Sequence, residues 1–329
     1  MPSQPVCETA RLVNRVRDEN TGDDFAAWSL ELHGHEMIYR TAGSGPPLVV
    51  VHGMVNSSKH WRDVALRLAE THTVIVPDLI GHGDSAAVRG DYSIGAHAAV
   101  IRDLLSAIGV ESASFVGHSL GGGIAMQFFY QFPHRVERLA LVSSGGLGQE
   151  VSPLLRGAAL PGASGVVWAA SHRGVLGALD AVAAALGSLG WRKAVYLKAI
   201  TRAVRPLQVA GARRAFLESL RAVIDIRGQK VSALDRLYLL GPVPTMIVWG
   251  ERDRTIPIEH GREAHSRIPH SRFETLPRAA HFPNLEDPAS LANTIAGWLA
   301  ETTPYRLSEE EWSELIASRL VRGRHLRAA

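Results

Sequence analysis

Ser119 sits in the stretch Gly117-His118-Ser119-Leu120-Gly121-Gly122, directly after the apolar run 113–116 and directly before a helix-like segment, 124–130. A serine on a tight strand-to-helix turn is held in a strained backbone conformation that only small neighbours permit, hence a glycine two residues to either side. Such a turn lifts the hydroxyl clear of the strand. It also aims the first amides of the helix at the same point, where the helix dipole favours negative charge. That is equipment for nucleophilic attack on a carbonyl carbon. The bland alternative is a glycine-rich turn; the strand before it and the helix after it favour the nucleophile.

A serine nucleophile needs a base and an acid. Downstream, residues 244–250 read as a buried strand, followed by Glu251-Arg252-Asp253. After a helix-like segment, 257–267, and a short strand, Arg272–Leu276, comes Ala279-Ala280-His281-Phe282-Pro283. Ser119, Asp253 and His281 each fall just past the C-terminal end of a strand, where functional loops gather in an open parallel sheet. His281 is expected to take the proton from Ser119 Oγ, and Asp253 to fix the imidazole tautomer and stabilise the imidazolium. Alone, an Asp after a strand is usually a turn former and a His a surface or core residue; the order Ser, Asp, His makes the set specific. Glu251 shares the loop and stands as the alternative acid. The preceding core strand is followed by Ser143 and Ser144, so it offers no acid.

Upstream, Leu48-Val49-Val50-Val51-His52-Gly53-Met54 reads as a buried strand ending in His-Gly. Acyl transfer needs two amides facing the developing oxyanion, one after the nucleophile and one from such a loop. They are assigned to the N–H groups of Leu120 and Met54, with Gly53 allowing close backbone approach. His52 precedes the donor and reads as a brace, and His118 as pointing away from the nucleophile.

Val51-His52-Gly53, Asp78-Leu79-Ile80-Gly81-His82-Gly83-Asp84-Ser85, the Ser119 turn, Gly250-Glu251-Arg252-Asp253 and His281-Phe282-Pro283 together resemble the α/β-hydrolase superfamily, over about residues 26–301. The likeness is to its capped group of esterases, meta-cleavage-product hydrolases, cofactor-free haloperoxidases and epoxide hydrolases. It implies nucleophile Ser119, acid Asp253, base His281, oxyanion amides at Met54 and Leu120, and a structural turn at 78–85. The departures narrow the chemistry. Epoxide hydrolases and dehalogenases of this fold carry Asp as nucleophile. Meta-cleavage hydrolases usually have a more glycine-rich loop at the position of His52-Gly53-Met54 and a Trp after the histidine, where Phe282 stands here. Prolyl aminopeptidases usually have a Trp where Leu120 stands. What remains is hydrolysis of a carboxylic ester or thioester through an acyl-enzyme, with C–C bond hydrolysis as the nearest alternative. In another class stands a triad-retaining small-molecule receptor.

The elements that must position these residues alternate strand and helix, which implies a mostly parallel, right-handed sheet. The expected fold is α/β: an eight-stranded sheet flanked by helices, with an inserted helical cap. Residues 1–25 read as a loosely attached polar extension, 26–145 and 236–301 as the core, 146–235 as the cap, and 302–329 as a C-terminal amphipathic helix with a basic tail. Ala26–Leu32 and 35–40 read as a hairpin across His33-Gly34. The cap is rich in Ala, Leu, Val and Gly, with helix-like runs at 175–187, 192–204 and 212–226. Trp168, Trp191, Tyr196 and Phe216 are its large candidates for touching substrate, although apolar residues at helical spacing usually make a helix's own core.

With 46% hydrophobic and 20% charged residues, the composition is that of a soluble globular protein, and no apolar run reaches the length of a membrane span. Residues 1–20 lack the hydrophobic stretch of a secretory signal. The single cysteine, Cys7, excludes an internal disulfide and fits a cytoplasmic location. The 15 histidines are scattered, with no metal-ligand spacing, so no metal or cofactor is expected. Residues 146–235 hold twelve Lys/Arg against five Asp/Glu, whereas the whole chain is only +3. A basic cap suits an anionic or hydrophobic acyl substrate, or an acidic surface; nucleic acid is not expected, for no binding module accompanies the charge. The bland alternative is a solvated helix face. Ser308-Glu309-Glu310-Glu311 fits a capping box, with Trp312, Leu315, Ile316 and Leu320 following on one helix face. The chain is expected to work as a monomer or homodimer.

Overall fold

In the computed structural model, which describes residues 13–16, 23–189, 191 and 193–325, the chain runs as follows. The first half holds β1 (Asn14–Val16), β2 (Ala26–Leu32), β3 (His35–Ala42), β4 (Pro47–Val51), α1 (Arg62–Leu68), β5 (Thr73–Pro77), α2 (Ile94–Ala107), β6 (Ala113–His118), α3 (Leu120–Gln131) and β7 (Val136–Val142). An insertion follows: α4 (Pro153–Ala159), α5 (Ser164–Ala170), α6 (Arg173–Ser188), α7 (Lys193–Val204), α8 (Ala210–Val223) and a small hairpin, β8 (Ile224–Asp225) with β9 (Gly228–Gln229). The chain closes with β10 (Thr245–Gly250), α9 (Glu259–Arg267), β11 (Arg272–Leu276), α10 (Pro283–Glu286), α11 (Pro288–Glu301) and α12 (Glu309–His325).

Nine strands make one sheet in the order β1-β2-β3-β5-β4-β6-β7-β10-β11. From β5 to β11 every pairing is parallel; β1, β2 and β3 add an antiparallel edge. The ninth strand is β1, which pairs Asn14–Val16 with Ala27–Ser29, so part of the stretch read as a loose extension is stitched to the sheet edge. Cys7 lies outside the described residues.

Because side chains alternate across a strand and both faces of a parallel sheet are covered by helices, the central strands are buried almost throughout and largely apolar. Ser114, Glu137 and Arg138 are among the polar exceptions. The sheet accordingly divides two cores. Val49, Val51, Phe115, Leu139, Leu141 and Ile247 face one cluster with residues of α2 and α3. Leu48, Val50, Val116, Ala140, Val142 and Val248 face the other with α1 and α11. The α12 capping box forms as read: Ser308 Oγ accepts from Glu311 N at 3.2 Å, and Glu311 Oε2 accepts from Ser308 N at 2.8 Å. Trp312 packs edge-on against Phe129, 5.7 Å between centroids, while Ile316 stays exposed and the Leu320 side chain lies outside the described residues.

The turn after β5 is fixed by one buried carboxylate. Asp78 accepts from Ser58 N (2.6 Å), Asp84 N (2.9 Å) and the buried Arg40 guanidinium (3.2 Å). Burial pushes this carboxyl up, against Arg40 and the two amides that favour its charge. Removing one partner of a buried ion pair leaves the other desolvated and uncompensated. Asp78→Asn is therefore expected to cost about 3 kcal/mol of stability, read as a lower urea midpoint; an unchanged midpoint would show that Asp84 and Ser58 hold Arg40 by themselves.

Candidate active site

Ser119 occupies the turn between β6 and α3 with φ 54° and ψ −119°, a region that side chains other than glycine rarely adopt. Two glycines make the turn possible. A Cβ on Gly121 would lie 2.1 Å from Val51 O, and one on Gly117 would lie 2.5 Å from Gly121 O. The helix start is thereby pressed against the end of β4, and Ser119 is locked by Ser119 N donating to Val142 O (3.0 Å) and Gly145 N donating to Ser119 O (2.9 Å).

The loops after β10 and β11 meet this hydroxyl. Ser119 Oγ donates to His281 Nε2 at 3.0 Å, and His281 Nδ1 donates to Asp253 Oδ2 at 2.8 Å. Asp253 Oδ1 accepts from the amides of Thr255 (2.8 Å) and Ile256 (3.0 Å). Burial pushes the Asp253 carboxyl up, but His281 and these amides outweigh it and hold it below the usual carboxylate range. Its side chain is fully buried, and His281 is 4% exposed. An imidazole bridging a hydroxyl and an ionised carboxylate can accept the hydroxyl proton and carry the resulting positive charge next to its counter-ion. Glu251, the other acid of the loop, instead accepts from Thr275 Oγ1 at 2.9 Å and is exposed.

Met54 and Leu120 both line the cavity at Ser119, and among the described residues neither amide is spent on a backbone acceptor. The loop carrying Met54 is braced by His52, whose Nδ1 donates to Gly53 O (2.8 Å) while Nε2 accepts from Leu79 N (3.1 Å).

One residue bearing on the site, Glu286, went unread in the sequence, and the part played by another, His118, was not foreseen. Glu286 clasps the backbone on both sides of His281: Oε2 accepts from Ala280 N (2.8 Å) and Oε1 from Phe282 N (2.9 Å). Its spacing, a carboxylate in the first turn of a helix opened by Pro283, was a usable capping signal. His118, read as merely pointing away, donates from Nε2 to His281 O at 2.7 Å and packs 5.2 Å from the His281 ring. It buttresses the imidazole from behind.

Above the serine lies a cavity of about 790 Å³, lined largely by aliphatic side chains of α4, α5, α7 and α8 together with Met54, Val55 and Phe282. Tyr196 and Phe216 are among its walls. Trp168 and Trp191 are not: they stand 53% and 56% exposed, Trp168 packing on His172. In α5 it is Val166, Val167 and Ala170 that reach the cavity, and helical geometry turns Trp168 to the other side. The small residues of α4 and α5, which carried no pattern strong enough to be read as helices, supply much of the lining. Arg254 is the cationic side chain in the wall, which includes no Asp or Glu. Among the described residues no cluster of His, Cys, Asp and Glu could hold a metal ion, and no helix is long and apolar enough to cross a membrane.

Residues 46–288 match the family described as the alpha/beta hydrolase fold. An uncharacterized protein of Mycobacterium tuberculosis is 41% identical over 298 residues, covering 89% of this chain and 87% of that one. The 2-hydroxy-6-oxo-2,4-heptadienoate hydrolase of Pseudomonas putida is 26% identical over 282 residues, 81% of this chain and 94% of its own. Among solved structures, an esterase from Rhodococcus sp. ECU1013 is similar with a TM-score of 0.63 at 25% identity, over 84% of this chain and 98% of that one.

Two outcomes follow from this geometry. In Glu286→Gln one carboxylate oxygen becomes an amide donor facing a backbone N–H, loosening the His281 loop. Turnover of a p-nitrophenyl ester should fall roughly tenfold with little change in KM; wild-type kcat would refute the clasp. The second concerns acid stability. Burial pushes His52 down to about 4 and His60, His82, His97 and His118 down to about 3. The unfolded chain takes up protons at these sites below pH about 6.5 while the folded chain does not, so stability falls as pH drops from 6.5 towards 4. The loss at pH 5.5 should be about 1 kcal/mol per imidazole. Equal urea midpoints at pH 7.5 and 5.5 would overturn this.

Proposed function

The chain belongs to the alpha/beta hydrolase fold family and is an enzyme of it, and on that premise we propose that it hydrolyses a carboxylic ester with an apolar acyl or alcohol part through an acyl-enzyme on Ser119. The observation that carries this reading is the relay Ser119–His281–Asp253 beneath a strained turn and an apolar cavity. Ser119 Oγ attacks the carbonyl carbon as His281 Nε2 takes its proton. The N–H groups of Met54 and Leu120 hold the tetrahedral oxyanion, with the α3 dipole adding to them. His281 then protonates the departing alcohol. Water, deprotonated by the same imidazole, attacks the acyl carbon and releases the acid. Asp253 keeps Nδ1 protonated throughout and stabilises the imidazolium.

Under this reading residues 146–235 act as a cap. Helix α7 closes over the site, packing Ala199 and Ala203 against Phe282 and Val55, and the walls it shares with α4, α5 and α8 select a hydrophobic group. Thioesters fit the same chemistry. Hydrolysis of a C–C bond is the second reading, favoured by the likeness to the heptadienoate hydrolase; Arg254 would then be the counter-charge for a substrate carboxylate. A panel of acyl esters, acyl thioesters and a dienol acid separates these.

Ser119→Ala should leave folding intact and abolish both turnover and the single fluorophosphonate adduct that intact-mass spectrometry detects on wild type. Asp253→Asn should lower kcat by roughly four orders of magnitude by inverting the imidazole tautomer. Absence of any adduct on the folded wild-type protein would sink the acyl-enzyme route, and near-normal kcat in Asp253→Asn would remove Asp253 from it.

A further inference from the structure

Among the described residues, exposed apolar side chains are concentrated in one stretch of the chain, the inserted segment. Of thirteen large hydrophobic residues that stand exposed among the described residues, eleven lie between Leu154 and Ile226. Scattered singly they would mean little, but a contiguous apolar surface on a water-soluble protein marks an interaction site. Three of them, Leu154 (80% exposed), Leu160 and Val166 (72%), also line the cavity. The lip of the cavity is therefore both apolar and outward-facing, and Trp168 stands one residue past the lining pair Val166 and Val167 on the same short helix.

The same segment carries the positive charge. Residues 146–235 hold twelve Lys/Arg and five Asp/Glu, net +7, in a chain of net +3. Among the described residues, only one of those cations pairs with a carboxylate: Arg205 with Asp180. Arg213, Arg214 and Arg221 donate to backbone carbonyls, which leaves their charge uncancelled. Arg221 does so at Ala159 and Leu160, directly behind the lip.

We propose that the α4–α5 lip and the basic surface around it form a docking face for an anionic lipid surface, from which apolar molecules pass directly into the cavity. The combination is the one such surfaces select: aliphatic and Trp side chains seat at the headgroup level while Lys and Arg meet the anionic lipids. A second copy of this chain is the poorer occupant. A two-fold contact through this face would set +7 against +7, and like charges brought together resist association. Docking itself does not depend on the catalytic reading. The passage of an acyl ester from the lipid into the cavity does rest on it, and the readout below is independent of turnover.

The test is flotation of the full chain with phosphatidylcholine vesicles carrying 0 or 30% phosphatidylserine. Wild type should float with the anionic vesicles at least tenfold more than with neutral ones and be released by 0.5 M salt. Trp168→Glu and Arg156→Glu on α4, each checked for an unchanged circular dichroism spectrum, should each lose most of that binding. Equal partition to both vesicle types, or no binding to either, would overturn the proposal. So would a stable wild-type dimer in light scattering that Trp168→Glu dissociates, since the face would then be covered by a second copy.

Discussion

The close approach of the first turn of α3 to the end of β4 is the constraint on which the rest of the site depends. Only hydrogen atoms on Gly121 leave room beside Val51 O, and only hydrogen atoms on Gly117 leave room beside Gly121 O. That contact goes with a positive φ at Ser119, and it brings Leu120 into the cavity wall that Met54 shares. The backbone strain is worth of order 1–3 kcal/mol, and it is offset by the two buried cores that sandwich the sheet. A turn of lower strain would leave the hydroxyl lying along the strand, out of reach of His281.

Opposite the serine, the imidazole is held by partners that never compete with its chemistry. Asp253 is the carboxylate hydrogen-bonded to the His281 ring; Glu286 and His118 hydrogen-bond only to backbone atoms around it, the His118 ring also packing against the imidazole. Burial pushes the Glu286 carboxyl up, against the two amides and His281 that favour its charge, and pushes the His118 imidazole down. Asp253 thus meets the ring on its Nδ1 side, while Nε2 faces the Ser119 hydroxyl.

Much of this was legible in the chain itself. The strand Arg272–Leu276 and the hairpin strand Ala26–Leu32 were read to their ends, because alternating or continuous apolar runs bounded by turn residues are local signals. The order of Ser119, Asp253 and His281 past three strand ends implied their meeting, since an open parallel sheet brings the C-terminal ends of its strands together. What was not legible depends on packing. Trp168 and Trp191 stand out by size, but size tells neither which way α5 turns once docked nor that Trp191 falls in the link between α6 and α7. Helices α4 and α5 escaped because Gly, Ala and Pro leave little periodicity to read. The grip of Glu286 on the His281 loop depends on where a four-residue helix begins, which single residues decide.

Three chain segments distant in sequence contribute to the relay, and the sheet pairing that spans the longest loop between them is β7 with β10, Leu139 opposite Thr245, across the whole insertion. Closing so long a loop is the entropically slowest kind of contact to form. A folding intermediate with β4, β6 and α3 assembled would already hold the serine turn and both flanking amides, yet have no imidazole beneath the hydroxyl. The contact between Ser119 and His281 therefore waits on that single strand pairing, however much of the first half of the sheet is already in place.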